Sequence, residues 1–320
     1  MKSIAEYSAI VNAGINRFEY DEPNSLYEPI SYTMDGGGKR LRPVLTLAVA
    51  DALDADVEDA LRPALGVELY HNFTLLHDDI MDNSPTRRGR QAVWKKWDTA
   101  QAILSGDTMF SVAIDCILNS CYGDSQRISL IECFNKTALA VDCGQQYDMD
   151  FERREEVSVE EYINMISLKT GALLAGACKM GAICGNATSD ICDAFYRYGI
   201  NLGIAFQIQD DILDVYGDEE TLGKPIGGDI LNDKHTWLHI TAMSEAHDKM
   251  SAVYAQGVEG KEKINAVRAI YDDLSLRNRS EQQVEHYMQL AVDAIDGTNL
   301  RDEVRRFFTE FAYSLIGRKK

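Results

Sequence analysis

The sequence predicts an all-α chain, and three observations carry that reading. The six prolines, Pro23, Pro29, Pro43, Pro63, Pro85 and Pro225, leave residues 86–224 and 226–320 without one. Proline breaks helix interiors, so long proline-free stretches rich in Ala, Leu, Ile, Met and Glu favour helix. Apolar residues recur with a helical period, and no strand-like alternation of useful length interrupts them. No Gly/Ser-rich linker or shift in composition marks a boundary. Residues 1–320 therefore read as one large helical bundle whose chemistry lies in a central cavity.

The elements follow in order. Residues 41–53 (LRPVLTLAVADAL) read as a buried helix with Pro43 in its first turn, where proline is tolerated. A second helix runs from about Val57 through Asp82 and stops before Pro85. Residues 84–90 (SPTRRGR) form a basic turn. Helical patterns cover 98–121, 125–150, 158–184 and 188–215. Residues 217–234 (GDEETLGKPIGGDILNDK), with four glycines and a proline, form an irregular loop. Helices resume at 235–256, 260–275, 280–296 and 301–316.

Composition excludes several classes. A net charge of −19 argues against nucleic-acid binding, which needs a basic face. The seven cysteines have no C-x-x-C spacing, which fits reduced thiols. The start, MKSIAEYSAI, lacks a signal-peptide core, and no apolar run approaches the roughly 20 residues of a span. The expectation is a soluble, cytoplasmic chain with no stable membrane anchor.

Two aspartate clusters built alike stand out: Asp78-Asp79-Ile80-Met81-Asp82 and Asp210-Asp211-Ile212-Leu213-Asp214. Each ends an apolar, helix-patterned run. Residues i and i+4 share a helix face, so Asp78 pairs with Asp82 and Asp210 with Asp214. Like charges at that spacing destabilise a helix unless a cation bridges them. Mg²⁺ suits such stripes, because it takes one or two carboxylates and completes its shell with water and phosphate oxygens. Two stripes facing each other would hold Mg²⁺ ions and a diphosphate. His71 precedes Asp78 by seven residues, which puts it within about 20° of the same face. Gln207 lies on the face of Asp210 and Asp214.

Basic residues supply the complement. In Gly36-Gly37-Gly38-Lys39-Arg40-Leu41-Arg42-Pro43, three glycines free the backbone for close approach. Lys39 and Arg42, at i and i+3, would project together from a helix start that attracts anions. The P-loop pattern is absent, since Arg40 follows the lysine. Arg87 and Arg88 form a second basic site, where adjacent arginines in a turn can serve different partners. Lys169 and Thr170 sit inside an apolar helix, where burial is costly unless they are paired. Lys224 and Lys234 flank the glycine-rich loop and could close on a phosphate.

Taken together, GGGKRLRP, ELYHNFTLLHDDIMD…RRGR, GQQYDMDFE, SLKTGAL, FQIQDDILDVYGD and GKPIGGDILNDK resemble the trans-type isoprenyl diphosphate synthases, the polyprenyl synthase family, in family order. The resemblance implies an all-α homodimer, each chain a single polyprenyl synthase domain that extends an allylic diphosphate with isopentenyl diphosphate. It implies that Asp78, Asp82 and Asp210 bind Mg²⁺, two or three ions per site, supported by Asp79, Asp211 and Asp214. It places Lys39, Arg42, His71 and Arg88 around isopentenyl diphosphate. Arg87, Lys169, Lys224 and Lys234 would hold the allylic diphosphate, with Thr170 and Gln207 near the developing cation and Gln145 and Asp148 close by. Bulk before the first cluster, Phe73 or Thr74, would floor the product pocket, which points to a fifteen- to twenty-carbon product with geranylgeranyl favoured over farnesyl. A class I terpene cyclase would share one aspartate cluster but typically carries an Asn/Ser/Glu-type second motif. A non-catalytic subunit of a heteromeric synthase usually lacks one cluster, and both are intact here.

Overall fold

The computed structural model describes residues 1–218 and 226–316. Lys224 and the basic tail 317–320 lie outside the described residues. The chain is 77% helical, and the strands among the described residues are two of two residues each, so the class is all-α. Two compact units divide it, Met1–Thr137 with Leu173–Tyr196, and Ala138–Ala172 with Arg197–Lys320.

In the first unit, α1 (Ile4–Asn16), α2 (Asn24–Met34), α3 (Leu41–Ala52) and α4 (Val57–Met81) lead to a small hairpin, β1 (Thr86–Arg87) and β2 (Arg90–Gln91). The short α5 (Val93–Lys96) and long α6 (Thr99–Leu118) follow, and α7 (Asp124–Phe151) begins in this unit. Helix α4 is buried on most of its circumference, from Val57 through Asp79. A helix apolar all round belongs in a core, and α3 and α6 pack on it. Pro63 sits inside α4 and removes the N–H that would reach Asp59 O; the Cys121 thiol lies 4.0 Å from that carbonyl. Helix α6 is, by length and composition alone, long and apolar enough to cross a membrane, unlike the shorter apolar runs expected from the sequence. In this structure it lies against α4 and leaves Ile103, Leu104 and Leu118 exposed.

The second unit takes up α7 at Ala138 and continues through α8 (Val159–Ile166) into a π-helical turn, Ser167–Gly171. Helix α9 (Ala172–Cys184) and the start of α10 (Ser189–Tyr216) fall largely in the first unit, and the end of α10 in the second. There follow α11 (Gly228–Leu231), α12 (Trp237–Glu245), α13 (His247–Ala255), α14 (Gly260–Asp273), α15 (Leu276–Asp296) and α16 (Asp302–Ile316).

Four differences from the sequence reading matter. Helices α1 and α2 precede the first expected helix, and α1 opens on a Ser3–Glu6 capping box, a Ser-x-x-Glu signal present in the sequence. The basic turn is a hairpin with Arg88 and Gly89 at φ of 52° and 74°, the two positive φ values a two-residue turn demands. The expected 158–184 helix is interrupted by the π turn. The expected 235–256 helix breaks at Ala246 (φ −139°, ψ 41°); alanine is the best helix former, so propensity could not place that break.

Candidate active site

Both aspartate clusters occupy the C-terminal ends of their helices. Asp82 caps α4, Asp210 to Asp214 fill the last turns of α10, and neither last turn carries a basic residue. A helix C-terminus bears about half a negative charge, and a carboxylate there costs on the order of 0.3–1 kcal/mol. The structure splits the six aspartates evenly. Asp79, Asp211 and Asp214 are buried (3%, 5% and 1% exposed) and held by protein groups. Asp78 and Asp210 are part-exposed, and Asp82 is exposed.

In the first unit, Arg87 on β1 donates to Asp79 Oδ1 through Nε (2.9 Å) and Nη2 (2.5 Å). Burial pushes the Asp79 carboxyl up, and Arg87 partly offsets that. Arg88, at the hairpin tip, turns elsewhere and donates to Gly37 O (2.5 Å) and Asn72 Oδ1 (3.3 Å). Gly37 and Gly38 adopt φ of 74° and 125°. A Cβ on Gly38 would lie 3.0 Å from the Arg88 guanidinium, so the triple glycine makes room for that arginine.

The expected pairing of Lys39 with Arg42 on a helix start does not form. Helix α3 begins at Leu41 after Arg40 in the left-handed region (φ 51°), so Lys39 lies ahead of the helix and is exposed. Arg40, passed over in the sequence, is buried: it donates to Glu68 Oε1 (2.6 Å) and Met34 O (2.5 Å). Glu68, alone in an apolar run, was the available signal, since a buried charge requires a partner. Arg42 Nη1 donates to His71 Nε2 (3.1 Å), and Arg42 Nε is buried with no hydrogen-bond partner among the described residues. Burial lowers the Arg42 guanidinium to about 10. Burial first, then Arg42 and Arg88, hold His71 well below its ordinary value, so the ring is neutral.

Phe73 belongs to an aromatic cluster, with its ring 5.5 Å from Tyr70, 5.7 Å from Phe110 and 4.7 Å from His77. Phe134 closes the cluster against Tyr70 and Phe110. Thr74 turns its hydroxyl back to His71 O (2.8 Å).

In the second unit a cavity of about 170 Å³ is lined by Asp148, Lys169, Thr170, Gln207, Asp210 and Lys234, among others. Lys169 Nζ pairs with Asp148 Oδ2 at 2.5 Å. Thr170 Oγ1 donates to Gln207 Oε1 (2.9 Å), whose Nε2 donates to Asp211 Oδ1 (3.0 Å). Tyr162 holds the other Asp211 oxygen. Burial, with Asp229 nearby, pushes the Asp211 carboxyl well up. Asp214 Oδ2 accepts the Asp229 N–H (3.0 Å). Lys169 and Thr170 lie in the π turn, which aims side chains off the α-helical register and is common at functional sites. A Cβ on Gly144 would come 2.3 Å from Lys169 N, so the glycine of GQQYD is where α7 meets that turn. Tyr162 lies in no repeated or clustered pattern, and Asp229 sits inside GKPIGGDILNDK, where the flanking lysines rather than the aspartate carried the signal.

Among the described residues, no three His, Cys, Asp or Glu side chains gather closely enough to hold a metal by themselves. The donor chemistry suits Mg²⁺ nonetheless, since that ion takes one or two carboxylates and fills its shell with water and substrate phosphate. Asp78, Asp82 and Asp210 are the solvent-reaching members of their clusters.

The fold and these residues define an all-α protein whose acidic helix ends stand beside arginine and lysine side chains. The profile of the polyprenyl synthetase family matches residues 23–274. A geranylgeranyl diphosphate synthase from Methanosarcina mazei is 41% identical over 76% of this chain and 75% of that protein. A geranylfarnesyl diphosphate synthase from Natronomonas pharaonis is 36% identical, covering 77% of each chain. The crystal structure of a geranylgeranyl pyrophosphate synthetase from Pyrococcus horikoshii superposes with a TM-score of 0.91 at 31% identity, covering 99% of this chain and 97% of that one. The chain belongs to the polyprenyl synthetase family, the trans-type isoprenyl diphosphate synthases, and is a trans-prenyltransferase.

The neutral state of His71 has a measurable consequence. Its folded pKa lies below the unfolded value near 6.5, so between the two the unfolded chain binds more protons. No penalty exists above about pH 6.5, and stability falls as pH drops below it, by up to about 1.4 kcal/mol per unit. His71→Gln is expected to flatten this acid-side loss between pH 6.5 and 5 in urea midpoints. A midpoint profile parallel to wild type would remove His71 as its source.

Proposed function

We propose that the chain condenses isopentenyl diphosphate with an allylic diphosphate to form a linear, all-trans, short-chain prenyl diphosphate of fifteen to twenty carbons, with twenty favoured. The observation that carries this is the arrangement of charge: each acidic helix end has its own set of cations, and three buried aspartates are each held by at least one protein group. Asp78, Asp82 and Asp210 would then hold two or three Mg²⁺ ions, whose chemistry is to neutralise the charge of the departing diphosphate.

Lys169 and Lys234, with Arg87, would grip the allylic diphosphate; arginine's fork and the lysine point charges stabilise leaving oxygens as charge develops on them. Lys39, Arg42, Arg88 and neutral His71 would take isopentenyl diphosphate, and the buried Arg42 Nε supplies an N–H that a phosphate oxygen could accept. The allylic C–O bond breaks, the double bond of isopentenyl diphosphate attacks the allylic cation, and a proton leaves to the released diphosphate. Thr170 and Gln207 turn oxygen-bearing side chains toward the cavity, where a cation would be favoured and water is unwelcome.

The cyclase and subunit readings separate from this one by products. Incubation with isopentenyl diphosphate, a ten- or fifteen-carbon allylic diphosphate and Mg²⁺ should give linear longer diphosphates by mass spectrometry; cyclic hydrocarbons or no turnover would overturn the proposal. Asp78→Ala should abolish transfer at millimolar Mg²⁺, and near wild-type turnover would sink the metal assignment. We place the floor of the product pocket at Phe73, whose ring is fixed by Tyr70 and Phe110. Phe73→Ala is expected to lengthen the product, and an unchanged chain-length profile would exclude it. Exposed Leu104 (55%) and Ile128 (60%) on α6 and α7 support a homodimer that covers them, and sedimentation at micromolar concentration should read twice the chain mass rather than one.

A further inference from the structure

The turn that delivers Lys234 to the cavity is gripped from behind by two consecutive residues of α14. Gly227 stands at one end of α11 with φ 79°, and a Cβ there would lie 2.6 Å from Ile264 Cδ1. Asp233 stands at the other end, also in the left-handed region at φ 52°, where a non-glycine residue needs support. Lys263 Nζ reaches Asp233 Oδ1 at 2.6 Å and lies 3.5 Å from Leu231 O. Its side chain is only 12% exposed and passes 5.2 Å from the Tyr254 ring. Tyr254 in turn is hydrogen-bonded to His239 Nδ1 at 3.3 Å. On the cavity side, Asp214 accepts the Asp229 N–H and its carbonyl accepts the Gly227 N–H at 2.7 Å. The turn is thus held between the end of α10 and α14.

We propose that Lys263 is a positioning residue: with Ile264 it clamps the Gly227–Asp233 turn, so that Lys234 is presented to the cavity that Asp210 also lines. This rests on the reading of Lys234 as a diphosphate-binding residue. Asp233 is 58% exposed, so it is on its lysine side that the Lys263–Asp233 pair differs from ordinary surface pairs of the same unit. Lys249 and Asp273, at 3.1 Å, are 62% and 67% exposed, and such pairs contribute little. Lys263 is largely enclosed, has a second oxygen within reach and supports a strained residue next to a functional one. A displacement of the Lys234 ammonium by about 1 Å is enough to weaken its grip on phosphate oxygens severely.

The test uses the full chain and two readouts. Lys263→Met, which keeps the stem and removes the charge, should raise KM for the allylic diphosphate roughly tenfold while KM for isopentenyl diphosphate stays within about twofold. Lys263→Arg should restore most of it, and Lys249→Met should change neither. Amide hydrogen exchange in residues 228–236 should accelerate in Lys263→Met and elsewhere stay as in wild type. Unchanged exchange there overturns the clamp, whether or not the chain makes prenyl diphosphates. Accelerated exchange with an unmoved allylic KM overturns the link to Lys234. A rise in both KM values together with a lower Tm also overturns it, because that is general destabilisation. A wild-type chain that makes no product fails the synthase reading instead, and the exchange readout then decides the clamp.

Discussion

Negative charge packed onto the negative ends of two helices is the constraint on which the rest depends. Carboxylates at i and i+4 repel, and the C-terminal end of a helix repels them again. Neither α4 nor α10 relieves this with a basic residue in its last turn. Relief comes from an arginine and from uncharged groups: Arg87 on Asp79, Tyr162 of α8 and Gln207 one turn earlier on α10 for Asp211, and the α11 amide on Asp214. The remaining aspartates reach solvent and concentrate the local demand for cations.

Counter-charge is placed with matching economy. Arg40 and Glu68 form a buried pair at the base of α3, which leaves Arg42 and Arg88 to face the neutral His71. A protonated His71 would stand against two guanidinium groups, so the ring stays neutral and contributes hydrogen bonds rather than charge. In the second unit Lys169 is aimed by a π turn and steadied by Asp148. Polar groups of this kind demand satisfied partners in a low-dielectric interior, and the chain Thr170–Gln207–Asp211–Tyr162 provides them.

Much of the candidate site was legible because its parts repeat or cluster. Two D-D-x-x-D runs after apolar helices, three consecutive glycines and adjacent arginines are patterns that local physics explains without coordinates. Lys39 and Arg40 show the limit. Both follow the glycines, and only the left-handed backbone at Arg40 decides that Arg40 turns inward to Glu68 while Lys39 stays in solvent. The π turn was hidden for a related reason: inserting one residue into a helical turn changes backbone pairing, whereas the apolar pattern on either side remains helical. Tyr162, Asp229 and Lys263 act through contacts 15 to 49 residues away along the chain, and no periodicity encodes such distances.

By itself, the sequence determined the all-α class, the positions of the long helices around both acidic ends, and the inventory of charged side chains, because helical periodicity and like-charge crowding are local properties. Tertiary structure alone decided which aspartates are spent on the protein and which are left to reach solvent. It also decided which arginine is buried, and which residue braces Lys234. The reason is physical: burial and hydrogen-bond pairing are properties of groups brought together across the fold, and they set the energy of a charge more strongly than its neighbours in sequence do.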